Sequence, residues 1–249
     1  MKKISFNILY WNGFDSETRL KNALFCYERI KKFSEYSKLK GIDVNVFLFD
    51  FSEKDPIENS IHIPYKNGEY KRSEKMNKVI EYNYINYFPE IFCCLDSDIF
   101  FNESEFDKLI NELNNFDSGS MTICSVLDIQ NSNNIDYNNN TLFPGNISVR
   151  PRFMAGLGAF YIINFDILFN IGGFDERFIC WGGEDDDIGE RLTRIGIKKR
   201  YTTVQLFHLP HKSLSNDSIK SEQYRNQCKI IGNNDTITKH SLIENKYLK

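Results

Sequence analysis

Ile91-Phe92-Cys93-Cys94-Leu95-Asp96-Ser97-Asp98 is the stretch on which the fold turns. Its apolar run reads as a central parallel strand buried on both faces. The run stops at a carboxylate, and a second carboxylate follows two positions later. Such a pair leaves the β ladder together, so one turn can aim both into a single cleft. Hard oxygen ligands of this kind suit Mg²⁺ or Mn²⁺. An isolated Asp-x-Asp also arises as a plain acidic turn; the apolar strand directly before it favours a site.

Upstream, strands and helices alternate. Ile4, Phe6 and Ile8 alternate as a strand that ends at Tyr10-Trp11-Asn12-Gly13. Ser16 is placed to cap a helix carrying Leu20, Leu24, Tyr27 and Ile30 on one face. Gly41 opens a second strand, with Val44, Val46 and Leu48 alternating and Asp50 at its end. A short strand at Ile61 to Ile63 and a helix over about residues 72–87 complete the first half. This order predicts a doubly wound α/β sheet, in which ligands sit beyond the carboxyl ends of the strands. Asn12, Asp50 and Asp96 all fall at such ends. Downstream, Met121 to Val126 and Ala159 to Ile163 read as strands. The Asn- and Asp-rich segment from Gln130 to Asn140 between them reads as a mobile loop, long enough for a lid or acceptor wall. Gly156-Leu157-Gly158 lacks the third glycine and the preceding strand of a dinucleotide fingerprint.

The bulk composition narrows the function. A chain of 249 residues with 41% apolar residues can bury a full core. A net charge of −3 gives no reason to expect a nucleic-acid partner. No signal peptide or membrane span is legible, because Asn7 and Asn12 interrupt the first apolar run and Asn164 and Asp166 the strongest one. The six cysteines form no C-x-x-C pair, so a reducing cytoplasm is expected. Residues 212–249 carry seven Lys/Arg against Asp217, Glu222, Asp235 and Glu244. That basic tail reads first as a solvated face, with peripheral contact to an anionic membrane as the alternative.

Two further motifs carry chemistry. In Phe207-His208-Leu209-Pro210-His211, two of the four histidines lie three apart where Pro210 excludes helix. Paired imidazoles with Asp98 would make a mixed carboxylate–imidazole site that favours Mn²⁺, with Mg²⁺ as second choice. The second is Gly172-Gly173-Phe174-Asp175-Glu176-Arg177 followed by Trp181-Gly182-Gly183-Glu184-Asp185-Asp186-Asp187, ahead of a helix with Ile188, Leu192 and Ile195 that ends at Gly196. Acidic residues in a first helical turn gain about 0.3–1 kcal/mol each from the helix dipole. That explains one or two carboxylates and leaves the others unexplained, since four in a row repel one another. Carboxylates beside an indole suit a sugar: the ring stacks on C–H groups while the carboxylates take hydroxyls. Crowding also raises a carboxyl pKa, as a general base requires.

This last block resembles the carboxyl-terminal catalytic region of the β-1,4-galactosyltransferases and is similar to the W-G-G-E region of polypeptide N-acetylgalactosaminyltransferases and bacterial chondroitin-type polymerases, in glycosyltransferase family 2. Tyr70 to Asn77 is similar to the F-x-R-A-x-x-x-N segment ahead of the D-x-D strand, and His208-x-x-His211 falls on the metal-binding M-x-x-H pair. The ordered motifs span residues 4–211. The resemblance implies a single GT-A domain, the nucleotide-diphospho-sugar transferase fold, with a mostly parallel central sheet flanked by helices. Residues 1–105 would form its nucleotide-sugar-binding half, 106–211 its acceptor-binding and catalytic half, and 212–249 the tail. It implies Asp98, His208 and His211 as metal ligands, with Asp96 nearer the ribose or sugar. Arg72 would meet the diphosphate of a UDP-sugar, and Asn12 and Asp50 would lie near the nucleoside. Asp185 would be the catalytic base, Glu184 and Asp186 would orient donor and acceptor hydroxyls, and Trp181 with Gly183 would flank the sugar. The acceptor expected is an oligosaccharide or lipid-linked glycan, in bacterial surface polysaccharide synthesis. Two departures stand out: Ile179-Cys180 replaces an aromatic-Gly pair, and glycine near Gly156-Leu157-Gly158 leaves room for an N-acetyl group on the donor. The rival readings are a metal-dependent phosphoesterase or nucleotidyltransferase, which leaves the Trp-Gly-Gly turn unexplained, and a non-catalytic sugar-binding protein.

Overall fold

The computed structural model describes residues 2–13, 15–65, 71–130, 135–142, 149–151, 159–178 and 184–211. Strand β1 (Ile4–Tyr10) leads into helix α1 (Ser16–Leu39), strand β2 (Val44–Asp50) and the short β3 (Ile61–His62). Helix α2 (Arg72–Asn86) precedes β4 (Ile91–Asp96), β5 (Ile99–Phe100) and helix α3 (Phe106–Asn114). Then come β6 (Ser120–Ile129), the hairpin β7 (Ile135–Asp136) and β8 (Thr141–Leu142), β9 (Val149–Pro151), β10 (Phe160–Asn164), helices α4 (Phe165–Asn170) and α5 (Glu184–Arg194), and β11 (Lys198–His208).

One sheet runs through both halves of the sequence in the order β3-β2-β1-β4-β10-β6-β11-β5, with β9 on β6. β3, β2, β1 and β4 are mutually parallel, β10 reverses between β4 and β6, and β11 runs parallel to β6. Six strands thus share one direction and β5, β9 and β10 oppose it, which is a mixed, mostly parallel sheet flanked by helices. The expected all-parallel setting of β4 is corrected in one respect: its second neighbour, β10, is antiparallel.

β4 is nonetheless buried on both faces. Ile91, Cys93 and Leu95 pack with Ala23, Ile30 and Phe33 of α1 and with Leu109 and Leu113 of α3. Phe92 and Cys94 face Met76, Val79 and Ile80 of α2 and Ile188 and Leu192 of α5. Each fully buried Phe, Leu or Ile stabilises the fold by about 1.5–3 kcal/mol. The apolar layers therefore fix where β4 ends, and with it where Asp96 emerges.

Three local expectations change. α1 begins after Asp15, whose carboxylate accepts from Thr18 Oγ1 at 2.9 Å, so Ser16 is the first helical residue rather than the cap. Gly41, at φ +78°, closes α1, its N–H donating to Lys38 O, and β2 starts three residues later. Residues 135–142 form a hairpin tied to α1, not a loose lid: Tyr137 Oη donates to Asn22 Oδ1 at 2.7 Å and Asn140 Nδ2 to Phe25 O at 2.8 Å.

Candidate functional site

The ends of β4 and β11 meet because β5, directly after the Asp96-Ser97-Asp98 turn, pairs antiparallel with the end of β11, His208 opposite Ile99. The Leu209 N–H then donates to Asp98 O at 2.8 Å, which locks the His208–His211 segment beneath the turn. Asp98 Oδ2 lies 2.9 Å from His211 Nε2 and 3.7 Å from His208 Nε2, and the two imidazole nitrogens are 3.3 Å apart. Three ligand atoms with these separations form one face around a cation bound at about 2.1 Å, whose adjacent ligands sit about 3 Å apart. The residues therefore fit a divalent metal, and the N/O mixture suits Mn²⁺. Among the described residues this is the one His/carboxylate group with such spacing. Burial works to raise the Asp98 carboxyl, yet the neighbouring imidazoles of His208 and His211 hold it well below the usual range.

Asp96, two residues earlier, turns the other way. Its Oδ1 accepts from Arg72 NH2 at 3.0 Å. The Arg72 guanidinium, 4% exposed in its side chain, also donates through NH1 to Asp185 Oδ1 at 2.7 Å and stands 3.6 Å from Glu184 Oε1. One cation thus faces three carboxylates. Burial pushes Asp96, Asp185 and Glu184 upward, and mutual repulsion adds to it for Glu184, which reaches about 7. Glu184 Oε2 is shielded from solvent without a hydrogen-bond partner among the described residues.

The acidic first turn of α5 divides its labour. Asp187 pairs with Arg191 one turn on, at 2.8 Å, and Arg191 also donates to Ile171 O at 3.0 Å and Gly173 O at 2.7 Å. Arg191 thereby ties α5 to the Gly172-Gly173 turn. Asn77 of α2 clasps the same turn: its Oδ1 accepts from the Phe174 N–H and its Nδ2 donates to Phe174 O, both at 2.8 Å, and to Glu176 Oε1 at 2.8 Å. Gly173 has φ +68°, and a Cβ there would collide with the Asn77 amide oxygen. Asp186 is exposed at the helix start. The spacing of Arg72 and Asn77 now has a reason: one helix carries both the cation of the acidic cluster and the clasp that holds α5 in place.

The donor-side expectations divide. Asn12 lies just past β1, with its Oδ1 buried and lacking a hydrogen-bond partner among the described residues. Asp50 is fully buried, and its two carboxylate oxygens accept the Ser52 and Ile57 N–H groups at 2.8 and 2.7 Å. Its observed task is to shape the loop after β2. Trp181 and Gly183 lie outside the described residues, as do Gly156-Leu157-Gly158, Ile179-Cys180, Tyr70 and the 212–249 tail. Sequence reasoning missed Asp128, hydrogen-bonded to His208 Nδ1 at 3.0 Å, and Arg19 of α1, 3.2 Å from His211 Nδ1. It also missed Lys75, whose Nζ stands 4.3 Å from the Trp11 ring centroid and 4.7 Å from that of Tyr65, and which burial lowers to about 7. Only a strand register or a helix-face alignment could have revealed these three.

Residues 146–212 match the family described as the N-terminal domain of galactosyltransferase. No curated protein matches the chain by sequence. Among solved structures, the catalytic domain of Drosophila β1,4-galactosyltransferase 7 in complex with xylobiose matches at a TM-score of 0.57 and 12% identity, over 90% of this chain and 80% of that one. A mutant of that enzyme in complex with manganese, UDP-Gal and xylobiose matches at 0.53 and 12%, over 90% and 79%. GalNAc-T7 with UDP, GalNAc and Mn²⁺ matches at 0.55 and 14%, over 85% of this chain and 44% of that one. At such identities the likeness is one of fold. Residues 146–212 are thus similar to a galactosyltransferase family, and the chain shares the α/β fold of these GT-A structures.

Proposed function

We propose that this protein transfers a hexose or N-acetylhexosamine from a UDP-sugar to a hydroxyl of a glycan acceptor, with inversion at the anomeric carbon. The observation that carries the reading is Arg72, which joins the carboxylate ending β4 to the first turn of α5 through Asp96 and Asp185. The match of residues 146–212 to a galactosyltransferase family, and the solved structures of the same fold with UDP or UDP-Gal and manganese, support it.

In this reading Asp185 accepts the proton of the acceptor hydroxyl as that oxygen bonds to C1 of the donor sugar. The C1–oxygen bond to the diphosphate breaks, and the nucleoside diphosphate leaves with the electron pair. Arg72 stands where negative charge grows on the leaving group. Glu184, at about 7, is partly protonated near neutral pH and so offers a sugar both a donor and an acceptor. Its solvent-shielded Oε2 is available for that contact. A divalent cation held by Asp98, His208 and His211 supplies Lewis-acid stabilisation of the diphosphate when bound. Asn12 serves the nucleoside side, and Trp181, Gly183 and Asp186 the acceptor side. The acceptor is an oligosaccharide or lipid-linked glycan on the cytoplasmic side of a bacterial membrane.

The test is a panel of UDP-sugars incubated with purified protein and Mn²⁺, followed by chromatography for free UDP. Mn²⁺-dependent UDP release with one preferred sugar is expected. Release of sugar-1-phosphate in place of UDP, or no turnover of any donor, overturns the proposal.

A further inference from the structure

Asp128 belongs to no motif and lies 80 residues from the nearest histidine of the metal cluster. β6 and β11 nevertheless bring it opposite His208 in strand register. The register shifts between Tyr201 and Gln205. Were the pairing of Tyr201 with Ile123 continued unchanged, Asp128 would face Leu206. The shift is fastened from α3 and the turn before it: Glu112 accepts from Arg200 NH2 and from Thr202 Oγ1 at 2.8 Å, and Glu105 accepts from the Gln205 N–H at 2.9 Å. The irregular stretch is thus held by side chains, and what it places is His208.

The contact settles the imidazole's chemistry. A carboxylate only accepts, so the 3.0 Å bond from Asp128 Oδ1 puts the proton on His208 Nδ1. The Nε2 lone pair then faces Asp98 Oδ2 and His211 Nε2, the orientation a cation needs. Both partners are buried or nearly so, which keeps water from competing for the bond.

We propose that Asp128 is a positioning residue of the metal centre, fixing the tautomer and ring plane of His208 so that Nε2 is presented to a divalent cation. This rests on the reading of Asp98, His208 and His211 as the metal site. Asp128→Asn keeps the size and an acceptor oxygen but removes the charge, and its own amide can turn a donor toward Nδ1. Mn²⁺ affinity, read by electron paramagnetic resonance of the free ion, is expected to fall about 10–100-fold, as for other outer-shell partners of metal-bound histidine. The thermal midpoint of the metal-free protein should stay close to the parent's, and Asp128→Glu should recover part of the affinity.

Asp128→Asn binding within twofold of the parent overturns the proposal, provided His208→Ala in the same assay loses Mn²⁺. If His208→Ala binds Mn²⁺ as the parent does, the metal-site assignment itself falls. Should Asp128→Asn fold poorly, Asp128→Glu decides: parental Mn²⁺ affinity despite a carboxylate displaced by one methylene contradicts a positioning role.

Discussion

Arg72 donates to Asp185 across 113 residues of sequence, so the first turn of α2 and the first turn of α5 share one guanidinium. A lone carboxylate at a helix start would face water. Here it is drawn inward and aimed alongside Asp96.

Asp185→Asn keeps this shape and removes the base. Turnover is expected to fall about 10²–10⁴-fold while UDP-sugar affinity stays within a few-fold of the parent. Steady-state kinetics with calorimetric donor binding checks it. Full transferase activity in the variant would remove Asp185 from the mechanism.

Glu184 makes stability depend on pH in an unusual sense. Its carboxyl is raised from 4.5 to about 7 on folding, so the folded state holds the proton more tightly than the unfolded chain. Below about pH 4.5 both states are protonated and no penalty exists. Between there and about 7 stability falls as pH rises, and above 7 the full penalty, up to about 3 kcal/mol, persists. Glu184→Gln should therefore melt higher than the parent at pH 8 and alike at pH 4.5. Equal midpoints at both pH values would contradict the assignment.

The Asn77 clasp predicts a matched pair of stability losses. Asn77→Asp forfeits two donors and sets a carboxylate against Glu176, for a cost of about 2–4 kcal/mol. Gly173→Ala meets both the positive φ and the Asn77 amide, and should cost about 1–3 kcal/mol. Because the two sites touch, the double variant should lose less than the sum, which urea titration of all three proteins resolves.

Metal loading should report on Asp98, His208 and His211 without any substrate. At about 100 times its dissociation constant a bound ion stabilises the folded state by about 2.7 kcal/mol. Mn²⁺ should therefore raise the melting temperature of the parent and leave Asp98→Ala and the double variant His208→Ala/His211→Ala unmoved. A rise in either variant would place the ion elsewhere.

How much of this was legible in the sequence follows from the range of each interaction. β4 announced itself because five apolar residues in a row have no alternative to burial on both faces, and its last residue had to emerge at a strand end. The split of Asp96 from Asp98 came only with the family resemblance, since in the fold it depends on Arg72 and on β5 pairing with β11. Residue chemistry suggested joining Asp98 to the histidines, and the family resemblance made them one ligand set; no spacing carried the meeting of β4 with β11. Asp50 shows a related limit. A carboxylate at a strand end looks the same in sequence whether it meets a ligand or two N–H groups of its own loop. The Asn-rich segment looked like a lid because composition records polarity and not the bonds from Tyr137 and Asn140 to α1.

The register shift in β11 leaves three residues, Thr202 to Val204, opposite Cys124 alone, two more than regular pairing allows. In a pleated strand side chains alternate, so an even surplus leaves every later residue on its original side and sets it back about 6.6 Å along the sheet relative to unbroken pairing. Reach changes while facing does not. Deleting one of the three would leave a single surplus residue, the count of an ordinary β-bulge. Deleting two of the three would restore unbroken pairing and leave His208 opposite Asp128. The three residues are therefore slack in the strand, and a variant shortened there by two should keep the imidazole in place.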